Sequence, residues 1–208
     1  MNLDLWLAFV LAAEALLIIP GPTIILVISQ SMAHGRRAVL PLAAGVTLGD
    51  FTAMALSLLG LGAVLASSAA AFTVLKWIGA VYLILLGLRL WKGGSGESHI
   101  RSAVAGASRA SLFRSALVVT AMNPKSIAFF VLFLPQFVST QSSAIPQLLL
   151  LGTTFLGLAA INATLYGLFA GHLRDALQSA KVRRSFNLCA GSALFGAGIA
   201  TATLQRAP

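Results

Sequence analysis

The chain has 208 residues, of which 58% are hydrophobic and only 9% charged, and its mean hydropathy is +0.93. A soluble domain carries near 25% charged residues, so water is excluded as the main solvent and lipid takes its place. The net charge of +9 does not signal a nucleic-acid partner, because the basic residues gather in particular loops.

Predominantly apolar windows of about 20 residues predict six membrane-crossing helices, near Leu5–Ser29, Val39–Leu65, Leu75–Trp91, Ala116–Val138, Gln147–Ala170 and Phe186–Thr203. The breaks after the first, third and fifth spans hold Arg36 and Arg37, then Lys92, Arg101, Arg109 and Arg114, then Arg174, Lys181, Arg183 and Arg184, with Arg89 closing the third span. The positive-inside rule puts these loops in the cytoplasm. The other side carries only Lys76 and Arg206, so both termini are expected outside. The first span is expected to be retained rather than cleaved as a signal peptide, because Asp4 stands where a basic cluster belongs and Glu14 and Pro20 interrupt the apolar run. The whole of 1–208 then forms one transmembrane domain.

The expected fold is all-α integral membrane, built as two inverted three-helix repeats. Spans 1 and 4 each carry a proline-centred break, and Gly45 and Gly60 of span 2 match Gly152 and Gly167 of span 5. The single cysteine, Cys189, lies in the sixth span and has no partner for an intrachain disulfide. The Asn162-Ala163-Thr164 sequon falls inside the fifth span, out of reach of glycosylation.

Pro20-Gly21-Pro22 is the sharpest local feature. Each proline removes a backbone donor and pushes its predecessor toward extended geometry, so the first span is expected to break there and restart at Pro22. In lipid such a break survives only where neighbouring helices or a watery cavity satisfy the freed groups. Asn123-Pro124-Lys125 is its counterpart in the fourth span, an N-cap followed by a proline suited to the first helical position. Lys125 lies about 16 Å along the helix from Arg114, too deep for easy snorkelling, and needs an anion. Asp50, after the Gly45-x-x-x-Gly49 packing step of the second span, is the second intramembrane charge. It can bind an ammonium, carry a proton or pair with Lys125. Glu14, about 9 Å before Pro20, is a further candidate for proton coupling or an outer vestibule. Asn162 and Tyr166 share a face of the fifth span, where they can bond a substrate or, more commonly, another helix.

Pro20-Gly21-Pro22, Gly35-Arg36-Arg37, Gly49-Asp50, the stretch from Leu75 through Lys76-Trp77-Ile78-Gly79-Ala80-Val81-Tyr82 to Leu83 with Gly87, and Asn123-Pro124-Lys125 leading to Phe133-Leu134-Pro135-Gln136-Phe137 together resemble the lysine exporter and homoserine/threonine-resistance family, LysE/RhtB. The resemblance covers nearly the whole chain. It implies a six-helix exporter of amino acids or their derivatives in the bacterial inner (plasma) membrane, driven by the proton gradient, and in that membrane the outside expected for both termini is the periplasm. The resemblance carries the substrate site onto Pro20, Gly21, Pro22, Asp50, Asn123, Pro124 and Lys125, with Asp50 also a proton-coupling candidate; Glu14 lies outside the matching motifs and is a proton-coupling candidate from its place in the first span alone. The partners implied are a small amino-acid substrate, protons and the bilayer; no cofactor is implied, and a homo-oligomer is left open.

A cation or metal-ion exporter is the nearest alternative, since Asp50 and Glu14 are carboxylates, but Lys125 at the same depth would repel a cation. An enzyme would need a nucleophile with its base or a metal cluster. His34, His99 and His172 are read as solvated loop residues, near Glu97 and Asp175, and not as a metal site.

Overall fold

The computed structural model describes residues 3–19, 21–67, 107–139 and 142–172, without the side chains of 61–67, together with isolated positions between 74 and 91 and between 184 and 195. Pro20, most of the third and sixth spans and the loops at 92–106 and 173–183 lie outside the described residues, and with them Cys189, His99, Glu97 and Asp175.

Among the described residues the chain is all helical, and the first span is broken where the prolines demand it. α1 covers Leu3–Ile18 and α2 covers Pro22–His34, with Gly21 extended at the N-cap. Gly35, at φ 67°, ends α2 in left-handed geometry that a β-carbon disfavours. A 3-10 turn at Gly35–Ala38 leads into α3, Val39–Ser67. α4 runs from Arg109 to Ala121. α5 restarts at Pro124 and continues to Ala128, extended by a π turn at Phe129–Phe133 and a 3-10 turn at Leu134–Phe137. Pro135 lacks the amide that regular helix would use and crowds the carbonyl four residues back, which accounts for the change of winding around it. α6 covers Ala144–Leu168.

One boundary departs from expectation. The fourth span begins at Arg109 instead of near Ala116, because the Ser108 side chain accepts the Ser111 backbone N–H and caps the helix. An apolar window discards this polar first turn.

The contacts fix the directions of the helices. A β-carbon on Gly45 would strike the Phe113 carbonyl, and one on Gly49 would lie 2.8 Å from the Leu117 carbonyl and 2.7 Å from Thr120 Cβ. Backbone therefore packs on backbone, and since both positions advance together, α3 and α4 run parallel. Trp6 donates Nε1–H to Thr154 Oγ1 at 3.2 Å, Asn162 bonds Glu14 and Tyr166 bonds the Ile18 carbonyl. These partners keep a constant separation of 148 residues, so α1 and α6 are parallel and in register. Met54 meets Gly152 while Val39 meets Gly167, so α3 and α6 are antiparallel.

Phe9, Phe129, Phe130 and Phe155 are buried between α1, the α5 segment and α6, with Phe130 and Phe155 edge to face at 4.8 Å. Outward lie Leu7 and Leu11 of α1, Leu56 and Leu59 of α3, and Leu149 and Ile161 of α6. Such large exposed apolar faces suit lipid contact. The stretch Pro22–Gly60, made of α2, the 3-10 turn and most of α3, and α6 are each long and apolar enough to cross a membrane, and α4 with the α5 segment, bent by 44°, passes the same test as a pair.

Candidate functional site

Buried polar groups gather where the two helix breaks meet. The first break leaves the carbonyls at the end of α1 without their regular helical partners, Leu16 keeping only a 3.3 Å bond from the Ile19 N–H. Lys125, in the first turn of α5, donates Nζ–H bonds of 2.9 Å to both Leu16 and Ile19 carbonyls. Tyr166 donates its hydroxyl to the Ile18 carbonyl at 2.7 Å. A cation thus rests on the negative end of a helix, which the helix dipole favours. Gly21 lies beside it: a β-carbon there would be in ordinary contact, 3.6 Å from Lys125 Nζ.

The second break is held by Asn123. Its Oδ1 accepts the Lys125 backbone N–H at 3.1 Å, and its Nδ2 donates to Thr23 Oγ1 at 3.2 Å. Thr23, in the first turn of α2, also lies 3.2 Å from Thr120 Oγ1 at the end of α4. Gly21, Pro22, Asn123, Pro124 and Lys125 therefore share one junction; Pro20, between Ile19 and Gly21, lies outside the described residues.

Asp50, on α3, is 2% exposed. The Ser126 side chain hydrogen-bonds its carboxyl, and Lys125 is near enough to act on it electrostatically, yet Oδ1 has no hydrogen-bond partner. Among the described residues no direct ion pair joins Asp50 to Lys125, whose ammonium bonds carbonyls instead. The Asp50–Lys125 pair, one of the readings the sequence leaves open, is replaced for Lys125 by carbonyls at a helix terminus.

Glu14 and Asn162 meet across α1 and α6, with Asn162 Nδ2 3.0 Å from both carboxylate oxygens. His34 departs from expectation. It is a buried residue closing α2, not a solvated loop histidine. Its Nε2 accepts the Ala107 backbone N–H at 3.1 Å, and Nδ1 lies 3.1 Å from the Gln30 carbonyl, so the ring carries its hydrogen on Nδ1 and ties the end of α2 to the approach to α4. That bond gathers exposed Arg36, Arg37 and Arg109 at one end of the bundle. His172 is exposed. No group of three His, Cys, Asp or Glu side chains among the described residues is placed to hold a metal ion.

Broken apolar helices that cross at a buried polar junction define a helical membrane translocator. The chain belongs to the LysE type translocator family, whose model matches residues 15–205. It is 34% identical over 210 residues to a membrane protein of Vibrio cholerae, covering 99% of this chain and 100% of the relative. It is 31% identical to the homoserine/homoserine lactone efflux protein of Salmonella typhimurium over the full length of both, and 32% identical to the leucine efflux protein of an Enterobacter over 76% of this chain and 71% of that protein. No solved structure matches the chain.

Proposed function

We propose that this protein exports amino acids or close derivatives across a bacterial inner membrane, by proton antiport through six spans. The observation that carries the reading is the junction itself: an ammonium on Lys125 and a carboxylate on Asp50, both at the meeting of two helix breaks, each keeping an unused hydrogen-bonding position. A zwitterion has the complementary pair of charges. Its carboxylate would take Lys125 and the positive half-helix end at Pro124, and its ammonium would take Asp50. A proton on Asp50 would displace the ammonium and reset the site, with Glu14 as the second candidate carrier. The full-length likeness to a homoserine/homoserine lactone efflux protein and the likeness to a leucine efflux protein support an amino-acid cargo. The cation-exporter alternative finds no metal-ligand group among the described residues in its support.

The third of these spans is favoured by the parallel run of α3 and α4, since parallel neighbours joined in sequence need an intervening crossing; the sixth rests on the apolar window at Phe186–Thr203. The basic end gathered by His34 is placed in the cytoplasm, which puts the N-terminus, at the far end of α1, outside.

Uptake into inside-out vesicles with a panel of amino acids under an imposed proton gradient tests the reading. Gradient-driven accumulation is expected for the wild type, and Asp50→Asn should abolish it while leaving some substrate binding. Lys125→Gln should weaken zwitterions far more than decarboxylated amines. Accumulation by Asp50→Asn equal to wild type removes Asp50 from the coupling, and equal loss of both ligand classes in Lys125→Gln reduces Lys125 to a structural tie.

A further inference from the structure

We propose that Glu14, Asn162 and Tyr166 form a subsite for the side chain of the exported amino acid, selecting side chains that carry a hydrogen-bond donor, a hydroxyl or a second ammonium. The inference rests on the exporter reading and adds a preference among its substrates.

Hydrogen counting carries it. The Asn162 amide has two hydrogens, and its nitrogen makes three contacts, to Glu14 Oε1, Glu14 Oε2 and the Leu158 carbonyl, at 3.0, 3.0 and 3.1 Å. One hydrogen is taken by Leu158, so the whole Glu14 carboxylate shares the other. A carboxylate offers about four acceptor positions, and within a bilayer an ionised group so poorly served is costly. Among the described residues no cation pairs with Glu14, and the Lys125 ammonium directs two of its three hydrogens to the Leu16 and Ile19 carbonyls. Tyr166 spends its only hydrogen on Ile18, so its oxygen can only accept. The subsite therefore presents a surplus of acceptors.

Its position suits a side chain. Ile18, whose carbonyl Tyr166 holds, lies one helical turn beyond Glu14, and Leu16 and Ile19 bound the break where the zwitterion is placed. Glu14 is half-buried whereas Asp50 is enclosed, so Glu14 is reachable. A site of this kind discriminates strongly against a ligand that brings no donor, because its acceptors are then left unpaired.

The test compares homoserine, 2,4-diaminobutyrate and leucine as substrates in inside-out vesicles, for wild type, Glu14→Leu and Asn162→Leu, reading ratios of kcat/KM within each variant so that differences in the amount of folded protein cancel. The wild type should favour homoserine and diaminobutyrate over leucine, and Glu14→Leu should cut the homoserine-to-leucine ratio by about tenfold or more. Asn162→Leu, which leaves the carboxylate in place, should keep a preference for diaminobutyrate over leucine. A wild type that prefers leucine, or a Glu14→Leu variant that loses all three substrates in proportion as a pure proton carrier would, overturns the subsite. Absence of transport of any of the three by wild type, with no other amino acid accumulated, removes the exporter reading beneath it.

Discussion

Lys125 concentrates the physical argument at the scale of the residue. Charge in lipid needs a partner, and the sequence reading expects an anion, but the bonds Lys125 makes are to the Leu16 and Ile19 carbonyls at the break in the first span. Lys125→Met would leave the buried Ile19 carbonyl unserved and the Leu16 carbonyl with only the 3.3 Å bond from the Ile19 N–H, at about 1–3 kcal/mol for an unserved group, and should lower the melting temperature in detergent. Lys125→Arg keeps donors in reach and should melt closer to wild type; identical melting of Met and wild type would mean that water serves these carbonyls equally well. The need of Lys125 for partners was legible because lysine at depth is rare. The identity of those partners was not, because carbonyls carry no letter in a sequence. His34 failed to be legible for a related reason: a lone histidine beside Gly35-Arg36-Arg37 reads as a solvated loop residue, and only the approach of Ala107, 73 residues away, makes it a buried tie.

At the scale of the element, glycine spacing foretold close packing of the second span but not its partner. Gly45 and Gly49 admit the backbone of α4, while a β-carbon on Gly60 meets nothing within 4 Å among the described residues. Gly49→Ala should therefore destabilise by about 1–3 kcal/mol or more through overpacking, and Gly60→Ala should be neutral or slightly stabilising as helix propensity dictates. Thermal unfolding of the two variants in the same detergent checks this, and equal melting would show that α4 yields to the extra methyl. The proposed matches Gly45 with Gly152 and Gly60 with Gly167 do not survive as matches of role: Gly152 faces the Met54 side chain and Gly167 faces Ser31 and Val39. The two broken spans were legible because proline acts on its own backbone. The early start of α4 was hidden by arginines that an apolar window rejects, though Ser108 is an ordinary N-cap signal.

At the scale of the whole molecule, the contacts group the helices differently from the order of the chain. Rocking of one sequential three-helix half against the other is the simplest motion for inverted repeats. Yet α1 is tied to α6 by three side-chain bonds spread over about 18 Å of helix, and α3 is tied to α4 by backbone contact at Gly45 and Gly49. Between the pairs lie softer contacts, Met54 on Gly152 and Val39 on Gly167, and the junction bonds among Thr23, Thr120, Asn123 and Lys125. The expected motion is of the α1/α6 pair against the α3/α4 pair, with the junction opening between them. Cysteines at Trp6 and Thr154, in a chain with Cys189 replaced, can be joined by a short bifunctional thiol reagent, and transport should persist because both positions move together. Cysteines at Thr23 and Thr120 are near enough for a disulfide if their α-carbons lie within about 7 Å, and oxidation should arrest transport until a reductant restores it. Labelling the same two cysteines singly with a small thiol reagent separates the effect of the link from the effect of bulk. Arrest by the Trp6/Thr154 link combined with free transport across the Thr23/Thr120 link would reverse the assignment, and would put the sliding surface along α1 and α6 instead.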